Sequence, residues 1–311
     1  MAVDNYTLFT DFIFLGFCGQ QDVQQVIFVL FLLVYGTTVL ANLGMILLIN
    51  MDPRLHTAMY YFLSNLSFCY VCYFSTVSPK MLVDFLSEQK KIPYNACAIQ
   101  LYFWGAFADM ECLKLAVMAY DCYVAICNPL LRVAMFRRVC TPLGAVAYII
   151  GLVDSAIHIC NSNVINHFFC DNLPLLALSC SDTTINETVM FTFIGCNVGC
   201  HIVTVLFSYS YIMTTIFKMN SSKGRQKTFS TCASHLTSVA TFHDTLLFMY
   251  FWPSSGYSME TDKIASVFYI VLIPMLNPVI YSLRNKDVKG ALKKNNYHKI
   301  VFCVKLSFLH K

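Results

Sequence analysis

Fifteen cysteines are the side chains of this 311-residue sequence most able to do chemistry, as metal ligands, nucleophiles or disulfide partners. Cys69 and Cys72 form a C-x-x-C pair, but a structural zinc site needs a second pair at similar spacing, and the sequence has none. His167, Cys170 and Cys180 are the alternative metal-binding set that the pattern allows. Most other cysteines lie in apolar runs, where a free thiol behaves as a small hydrophobic group. We therefore predict neither a metal nor another cofactor.

A histidine beside a carboxylate is the nearest approach to a catalytic pair. His243 and Asp244 are adjacent, but no serine or cysteine stands at a spacing that would make it their nucleophile. Asp109, Glu111 and Lys114 interrupt an apolar segment without completing an active-site constellation. We therefore predict that the protein is not an enzyme.

Long apolar segments must position these residues. Hydrophobic residues make up 57% of the chain and charged residues 12%, whereas soluble domains carry about 25% charged residues. The segment from Val26 to Ile49 contains no charge, and about 20 such residues span a bilayer as a helix. The sequence therefore predicts an all-α membrane protein, a bundle of seven transmembrane helices at 24–50, 58–86, 96–127, 140–160, 194–218, 233–253 and 264–283.

The basic residues orient this bundle. No Lys or Arg precedes Arg54, and residues 161–193 contain none. Lys and Arg are concentrated instead in 128–139, in 218–227 and in the tail. Because positively charged loops stay in the cytoplasm, we predict that the N-terminus is outside and the C-terminus inside. The net charge of +4 then reflects cytoplasmic loops and does not indicate a nucleic-acid partner.

This orientation divides the chain into an extracellular N-terminus (1–23), the bundle (24–283) and a cytoplasmic tail (284–311), with a short amphipathic helix at the membrane lipid. The first twelve residues lack the features of a cleavable signal peptide, so the first span is expected to direct insertion. The sequon at Asn5 lies on the outer side and is the predicted glycosylation site.

Five strings of residues, in order along the chain, carry a family resemblance. Met118-Ala-Tyr-Asp-Cys-Tyr-Val-Ala-Ile-Cys127 resembles MAYDRYVAIC, and Pro274-Met-Leu-Asn-Pro-Val-Ile-Tyr-Ser-Leu-Arg-Asn285 matches PMLNPxIYSLRN. The segments 41–46, 55–63 and 227–236 are similar to GNLGMI, LHTPMYFFL and KAFSTCxSHL. On these strings the chain resembles the tetrapod-type (class II) odorant, or olfactory, receptors among the rhodopsin-like G-protein-coupled receptors.

The resemblance implies a receptor mechanism. A small volatile odorant bound among the third, fifth, sixth and seventh spans favours a bundle whose sixth helix swings outward at the cytoplasmic face. The opened cleft admits a heterotrimeric stimulatory (olfactory-type) G protein, which raises cAMP. The family also implies a multi-pass glycoprotein of the plasma membrane, in the cilia of olfactory sensory neurons.

Positions within the spans give the expected site residues. The pocket should have apolar walls with few polar groups, lined by Trp104, Gly105, Ala108, Asp109, Cys112, Asn197, Cys200, His243, Leu246, Leu247, Tyr250, Val267 and Ile270. The residues expected to couple the bundle to the G protein are Asp121, Cys122, Tyr123, Tyr209 and Tyr281. The resemblance also implies a Cys97–Cys180 disulfide that holds the outer loop over the mouth of the bundle, leaving Cys170 free or competing for Cys97.

Cys122 departs most clearly from the family pattern, because it replaces the motif arginine that pairs with Asp121. A thiol with one weak donor is a poor substitute for a guanidinium with five. We therefore expect impaired coupling, and the alternative function is a receptor-like protein that does not signal. A small-molecule transporter is less favoured, since the sequence shows no internal repeat.

Two further departures place charge inside the bundle. Lys114 lies where the family is usually apolar, and we predict that it pairs with Glu111 or Asp244, or else contacts a polar odorant. His243 and Asp244 stand where the family usually has tyrosine and glycine. Together these residues make the predicted core unusually polar.

Overall fold

The apolar segments form long helices in the computed structural model of the chain, which describes residues 11–16, 21–127, 163–176, 178, 184–251, 270–281, 285 and 287–294. The helices are α1 (Gln21–Met51), α2 (Ala58–Leu86), α3 (Tyr94–Cys127), α4 (Asn172–Leu176), α5 (Thr184–Lys218), α6 (Ser222–Phe251), α7 (Ile270–Tyr281) and α8 (287–294). Six of the seven predicted spans coincide with α1, α2, α3, α5, α6 and α7. The fourth predicted span lies outside the described residues.

The exterior of α1 is apolar and its inner face carries polar groups. Leu33, Leu40 and Leu47 are 60–70% exposed, whereas Thr38 and Asn42 are fully buried. Val23–Met51 in α1 and Gly195–Lys218 in α5 are the described helical stretches whose length and hydropathy alone suffice to cross a membrane. An apolar exterior around polar contacts is the arrangement that lipid favours, since helices in a bilayer associate through packing and interhelical hydrogen bonds.

A buried amide and a pair of part-buried hydroxyl groups join α1 to its neighbours. The Asn42 side chain donates to the carbonyls of Thr38, at 3.0 Å, and Pro274, at 2.9 Å. The hydroxyls of Tyr35 and Ser75 lie 3.1 Å apart. These bonds tie α1 to α7 and to α2, and they satisfy polar groups that would be costly to leave unpaired in hydrocarbon.

Tyr70 joins three helices through one hydroxyl. It donates to Glu111 Oε1 at 2.6 Å, and it accepts a hydrogen bond from the Asn277 amide. All three side chains are buried. The centre of the bundle therefore contains a polar connection between α2, α3 and α7, which we call the Tyr70 junction.

The turn between α1 and α2 is held by Asp52 and Arg54. Asp52 caps the short 3₁₀ helix Pro53–Leu55, accepting from the Arg54 backbone N–H at 3.1 Å and from its guanidinium at 2.8 Å. The hydrogen bonds from the Arg54 side chain and backbone lower the pKa of Asp52 to about 2. The cap is therefore ionised at neutral pH.

α8 begins at an asparagine cap. The Asn285 side-chain oxygen accepts from the backbone N–H groups of Asp287, at 3.0 Å, and Val288, at 3.3 Å, and from the Tyr60 hydroxyl at 3.1 Å. Val288 and Ala291 are buried, while the lysines of α8 are exposed. The helix is thus amphipathic, with its apolar side packed on the bundle.

A three-stranded sheet covers the end of the bundle at which α3 begins, which is the outer end in the predicted orientation. The central strand β1 (Asp11–Phe14) pairs antiparallel with β2 (Lys91–Pro93) and parallel with β3 (Val164–Ile165). Phe12 and Phe14 are buried in a core cluster separate from that of the helices. The sheet was not predicted, because strands of two to four residues are too short to show alternation in the sequence.

Candidate functional site

Trp104 on α3 and Phe169, in the segment after β3, cover the outer end of the candidate ligand pocket. The Trp104 ring centroid lies 5.7 Å from that of Phe169 and 6.3 Å from that of Tyr73. One residue further along α3, a Cβ added to Gly105 would meet no atom within 4 Å in the part of the chain that the structure describes, and Ala108 packs against the main core. α3 therefore places a buried aromatic ring beside two small residues, close to the outer segment.

Two polar contacts join α3 to α5 below these rings. The Asn197 amide donates to Asp109 Oδ1 at 3.1 Å, and Cys112 Sγ lies 3.3 Å from His201 Nδ1. Asp109 and Cys112 are three residues apart, and Asn197 and His201 are four apart, so each pair occupies one helical face. The structure thus brings together three predicted pocket residues, and it adds His201.

His243 on α6 completes this polar group. Its ring is buried, its Nδ1 lies 2.8 Å from the Val239 carbonyl oxygen, and its centroid lies 4.5 Å from that of His201. Ile270 at the start of α7 is buried in the main core. The predicted residue Val267 and the side chains of Leu246, Leu247 and Tyr250 lie outside the described residues.

Cys200 does not join the pocket. It is exposed on the face of α5 that also carries Cys196, Val203 and Phe207. The spacing of these residues follows the helical repeat. Cys200 lies one position, about 100°, from His201, so it points away from the contact that His201 makes with Cys112. Its placement in the pocket was wrong by about one helical position.

The predicted partners of Lys114 are also wrong. Lys114 Nζ donates to the Asn65 carbonyl at 3.1 Å and lies against Cys69 Sγ. Glu111 instead accepts a hydrogen bond from Tyr70 in the Tyr70 junction, and the Asp244 side chain is exposed. Both side chains contact α2, but Lys114 lies against Asn65 and Cys69, whereas Glu111 accepts its hydrogen bond from Tyr70.

The structure corrects the disulfide. Cys97 is bonded to Cys170, with Cα atoms 5.5 Å apart, so the expected Cys97–Cys180 pairing is wrong. The side chain of Gln100, one turn after Cys97, accepts from the Cys170 backbone N–H at 2.9 Å and donates to the Thr76 carbonyl at 3.2 Å. This anchoring, together with β3, brings Cys170 to the start of α3.

The alternative metal-binding set of His167, Cys170 and Cys180 is not intact, because the Cys170 sulfur is bonded in the disulfide. Cys180 lies outside the described residues. Among the residues that the structure describes, no group of three or more His, Cys, Asp or Glu side chains has an arrangement that could hold a metal ion.

The opposite end of α3 forms the candidate coupling face. Cys122 is buried in the main core cluster together with Tyr209 and Tyr281. The Tyr209 hydroxyl lies 2.7 Å from His235 Nδ1, and the two rings are stacked with centroids 5.8 Å apart. The position of the missing arginine is therefore occupied by a small thiol close to two tyrosines.

The two residues beside Cys122 are half-buried. Tyr123 packs in an aromatic group with Phe207 and Tyr211, at centroid distances of 6.2 and 5.7 Å. Asp121 is the other neighbour. The structure thus places all five predicted coupling residues on α3, α5 and α7.

His201 and His235 are two buried histidines of the bundle that sequence reasoning missed. Each lies in an apolar helix, and each contacts a residue that had been singled out, Cys112 and Tyr209 respectively. An ionisable residue within a membrane span is by default a functional candidate. That rule, applied to every histidine, would have found both.

Comparison with known proteins identifies the family. A model of the family described as olfactory receptor matches residues 31–299. Olfactory receptor 5I1 of Homo sapiens is 54% identical over 301 residues, covering 93% of this chain and 95% of that protein. Olfactory receptor-like protein OLF1 of Canis lupus familiaris is 53% identical over 300 residues, covering 93% of this chain and 96% of that protein.

The fold is similar to that in the crystal structure of squid rhodopsin, with a TM-score of 0.64 at 16% identity, over 90% of this chain and 82% of that chain. The chain therefore belongs to the olfactory receptor family, as a G-protein-coupled receptor with the seven-transmembrane helical fold and not an enzyme.

Proposed function

We propose that this receptor binds a small volatile odorant among α3, α5, α6 and α7 and signals through a stimulatory G protein that raises cAMP. The observation that carries the proposal is the polar group formed by Asp109, Asn197, Cys112, His201 and His243 beside the large hydrophobic core of the bundle. A few polar groups set in apolar walls are what a small-ligand site requires, because the walls bind the body of the ligand and the polar groups orient it.

The proposed pocket combines the residues whose contacts the structure describes with further lining residues predicted from the sequence. Trp104 and Phe169 cover it from the sheet end, and Gly105 leaves open space beside them. The proposed lining residues are Trp104, Gly105, Ala108, Asp109, Cys112, Asn197, His201, His243, Leu246, Leu247, Tyr250, Val267 and Ile270.

We propose that Cys122 weakens the coupling step. In the active bundle the motif arginine must cross a cleft, whereas the Cys122 thiol is short, uncharged and buried with Tyr209 and Tyr281. Asp121 and Tyr123 remain in place beside it. A receptor-like protein that binds odorants but does not signal is the second candidate, and the burial of Cys122 favours it.

The membrane topology follows the same proposal. The N-terminus lies outside the cell, where Asn5 is glycosylated. α8 lies at the cytoplasmic lipid surface, and the receptor resides in the plasma membrane of olfactory cilia. The sheet built on β1 then faces the extracellular side, where the Cys97–Cys170 bridge is stable against reduction.

An odorant panel on the wild-type receptor and on Cys122→Arg tests this function in a cAMP reporter cell. We expect weak or absent cAMP responses from the wild type and larger responses from Cys122→Arg at equal surface staining. Cys122→Ser is the matched control, since it keeps a small neutral side chain and should behave as the wild type. A full wild-type response that Cys122→Arg leaves unchanged would refute the role given to Cys122.

A further inference from the structure

His201 and His243 form a buried imidazole pair at the centre of the bundle. They come from α5 and α6, they are 2% and 7% exposed, and their ring centroids lie 4.5 Å apart with an interplanar angle of 41°. Neither ring belongs to the Tyr70 junction or to the coupling face. Their contacts decide what each can offer a ligand.

The contact of His243 with the backbone decides its tautomer. Its Nδ1 lies 2.8 Å from the Val239 carbonyl oxygen. Because a carbonyl oxygen only accepts hydrogen bonds, Nδ1 carries the proton. In the neutral form of this tautomer Nε2 carries no proton and is a hydrogen-bond acceptor.

The contact of His201 with Cys112 gives the opposite tautomer. Cys112 Sγ lies 3.3 Å from His201 Nδ1. A thiol is a weak acceptor, whereas an imidazole nitrogen is a good one, so the favourable arrangement has the S–H donating to Nδ1. The proton of the neutral His201 ring then lies on Nε2, which is a hydrogen-bond donor.

Both Nε2 atoms are buried and lack a hydrogen-bond partner among the residues that the structure describes. Buried polar atoms are normally satisfied, so each such atom calls for a partner. A donor and an acceptor on rings in contact match a group that both accepts and donates. A hydroxyl is the simplest such group, and the ring centroids that would share it lie 4.5 Å apart.

We propose that His201 and His243 bind the hydroxyl group of a small alcohol or phenol, with His201 Nε2–H donating to the ligand oxygen and the ligand O–H donating to His243 Nε2. The proposal rests on the odorant-binding function above and names its ligand class. Cys112 is the positioning residue, because its thiol selects the tautomer of His201.

Thermal unfolding of the purified full-length receptor in detergent tests the proposal without requiring a G protein. The probes are straight-chain primary alcohols and alkylphenols, each compared with its methyl ether and with its parent hydrocarbon. The ether keeps the oxygen acceptor but loses the proton for His243, and the hydrocarbon loses both. We expect the alcohols to raise the melting temperature at concentrations about tenfold or more below those needed by the ethers, because a site built for a hydroxyl rejects analogues that lack it.

Ring-preserving variants assign the effect to the pair. His201→Phe and His243→Phe keep an aromatic ring and remove the nitrogen atoms, so each should abolish the preference for alcohol over ether. Cys112→Ser, which retains an O–H donor for His201 Nδ1, should keep it, and Cys112→Ala should weaken it. The comparison in the wild type needs no variant, so a variant that misfolds leaves the test standing.

Three results would overturn the proposal. Equal effects of alcohols and ethers on the wild type would mean that the two rings hold a buried water instead of a ligand hydroxyl. Stabilisation by amines, acids or esters without any by alcohols would refute the ligand class while supporting odorant binding. If no small volatile compound of any class stabilises the receptor, the proposed function itself fails.

Discussion

Tyr70→Phe removes one hydroxyl from the Tyr70 junction and leaves the ring in place. Glu111 then loses its donor, and the Asn277 amide loses its acceptor. Interhelical hydrogen bonds in membrane proteins contribute about 0.6 kcal/mol each on average, and up to about 1.7. Two lost bonds therefore reduce the unfolding free energy by about 1–3 kcal/mol, which corresponds to a fall in melting temperature on the order of 5 °C.

The assay is thermal unfolding of the purified receptor in detergent, beside two control variants. Tyr61→Phe makes the same chemical change on an exposed ring of α2 and should leave the melting temperature unaltered. Glu111→Gln keeps an oxygen that accepts from Tyr70 and should cost less than Tyr70→Phe. If Tyr70→Phe melts at the same temperature as Tyr61→Phe, the junction does not stabilise the bundle and the reasoning fails.

The corrected contacts give two further predictions. Cys97→Ser and Cys170→Ser should lower cell-surface staining, since loss of a bridge reduces the unfolding free energy by about 2–4 kcal/mol, whereas Cys180→Ser should leave staining near wild type; a non-reduced peptide map linking Cys97 to Cys180 would contradict this. Because Lys114 donates to a carbonyl of α2 and Asp244 is exposed, reversing both charges should not restore the surface staining lost in Lys114→Glu, and restoration would show that the two residues pair.

The spans were predictable because long runs without charge have few alternatives to a membrane helix. The strings that end α3 and form α7 then specified the family, which the comparisons confirmed. Asp109 and Cys112 on α3 were predicted together with Asn197 on α5, and all three make contacts between these two helices. Position along a helix was therefore read well from the sequence. The coupling role of the five predicted residues at the opposite end stays a prediction.

The direction in which side chains point around each helix was predicted less accurately. Cys200 was assigned to the pocket and Lys114 was paired with Glu111 or Asp244, but a residue one position away on a helix points about 100° elsewhere. The partner of Cys97 depended on a sheet of very short strands and on Gln100, neither of which has a pattern in the sequence. The errors at Cys200 and Lys114 concern side-chain direction, and the error at Cys97 follows from short strands that were not predicted.

Ligand-stimulated nucleotide exchange on a purified stimulatory G protein is the most direct test of the central claim, that the bundle binds an odorant and Cys122 limits its coupling. The wild type and Cys122→Arg are compared at a ligand concentration that stabilises both equally against thermal unfolding. The account predicts exchange at least about tenfold faster with Cys122→Arg, equivalent to about 1.4 kcal/mol of coupling free energy. Equal and rapid exchange by the two receptors would contradict it.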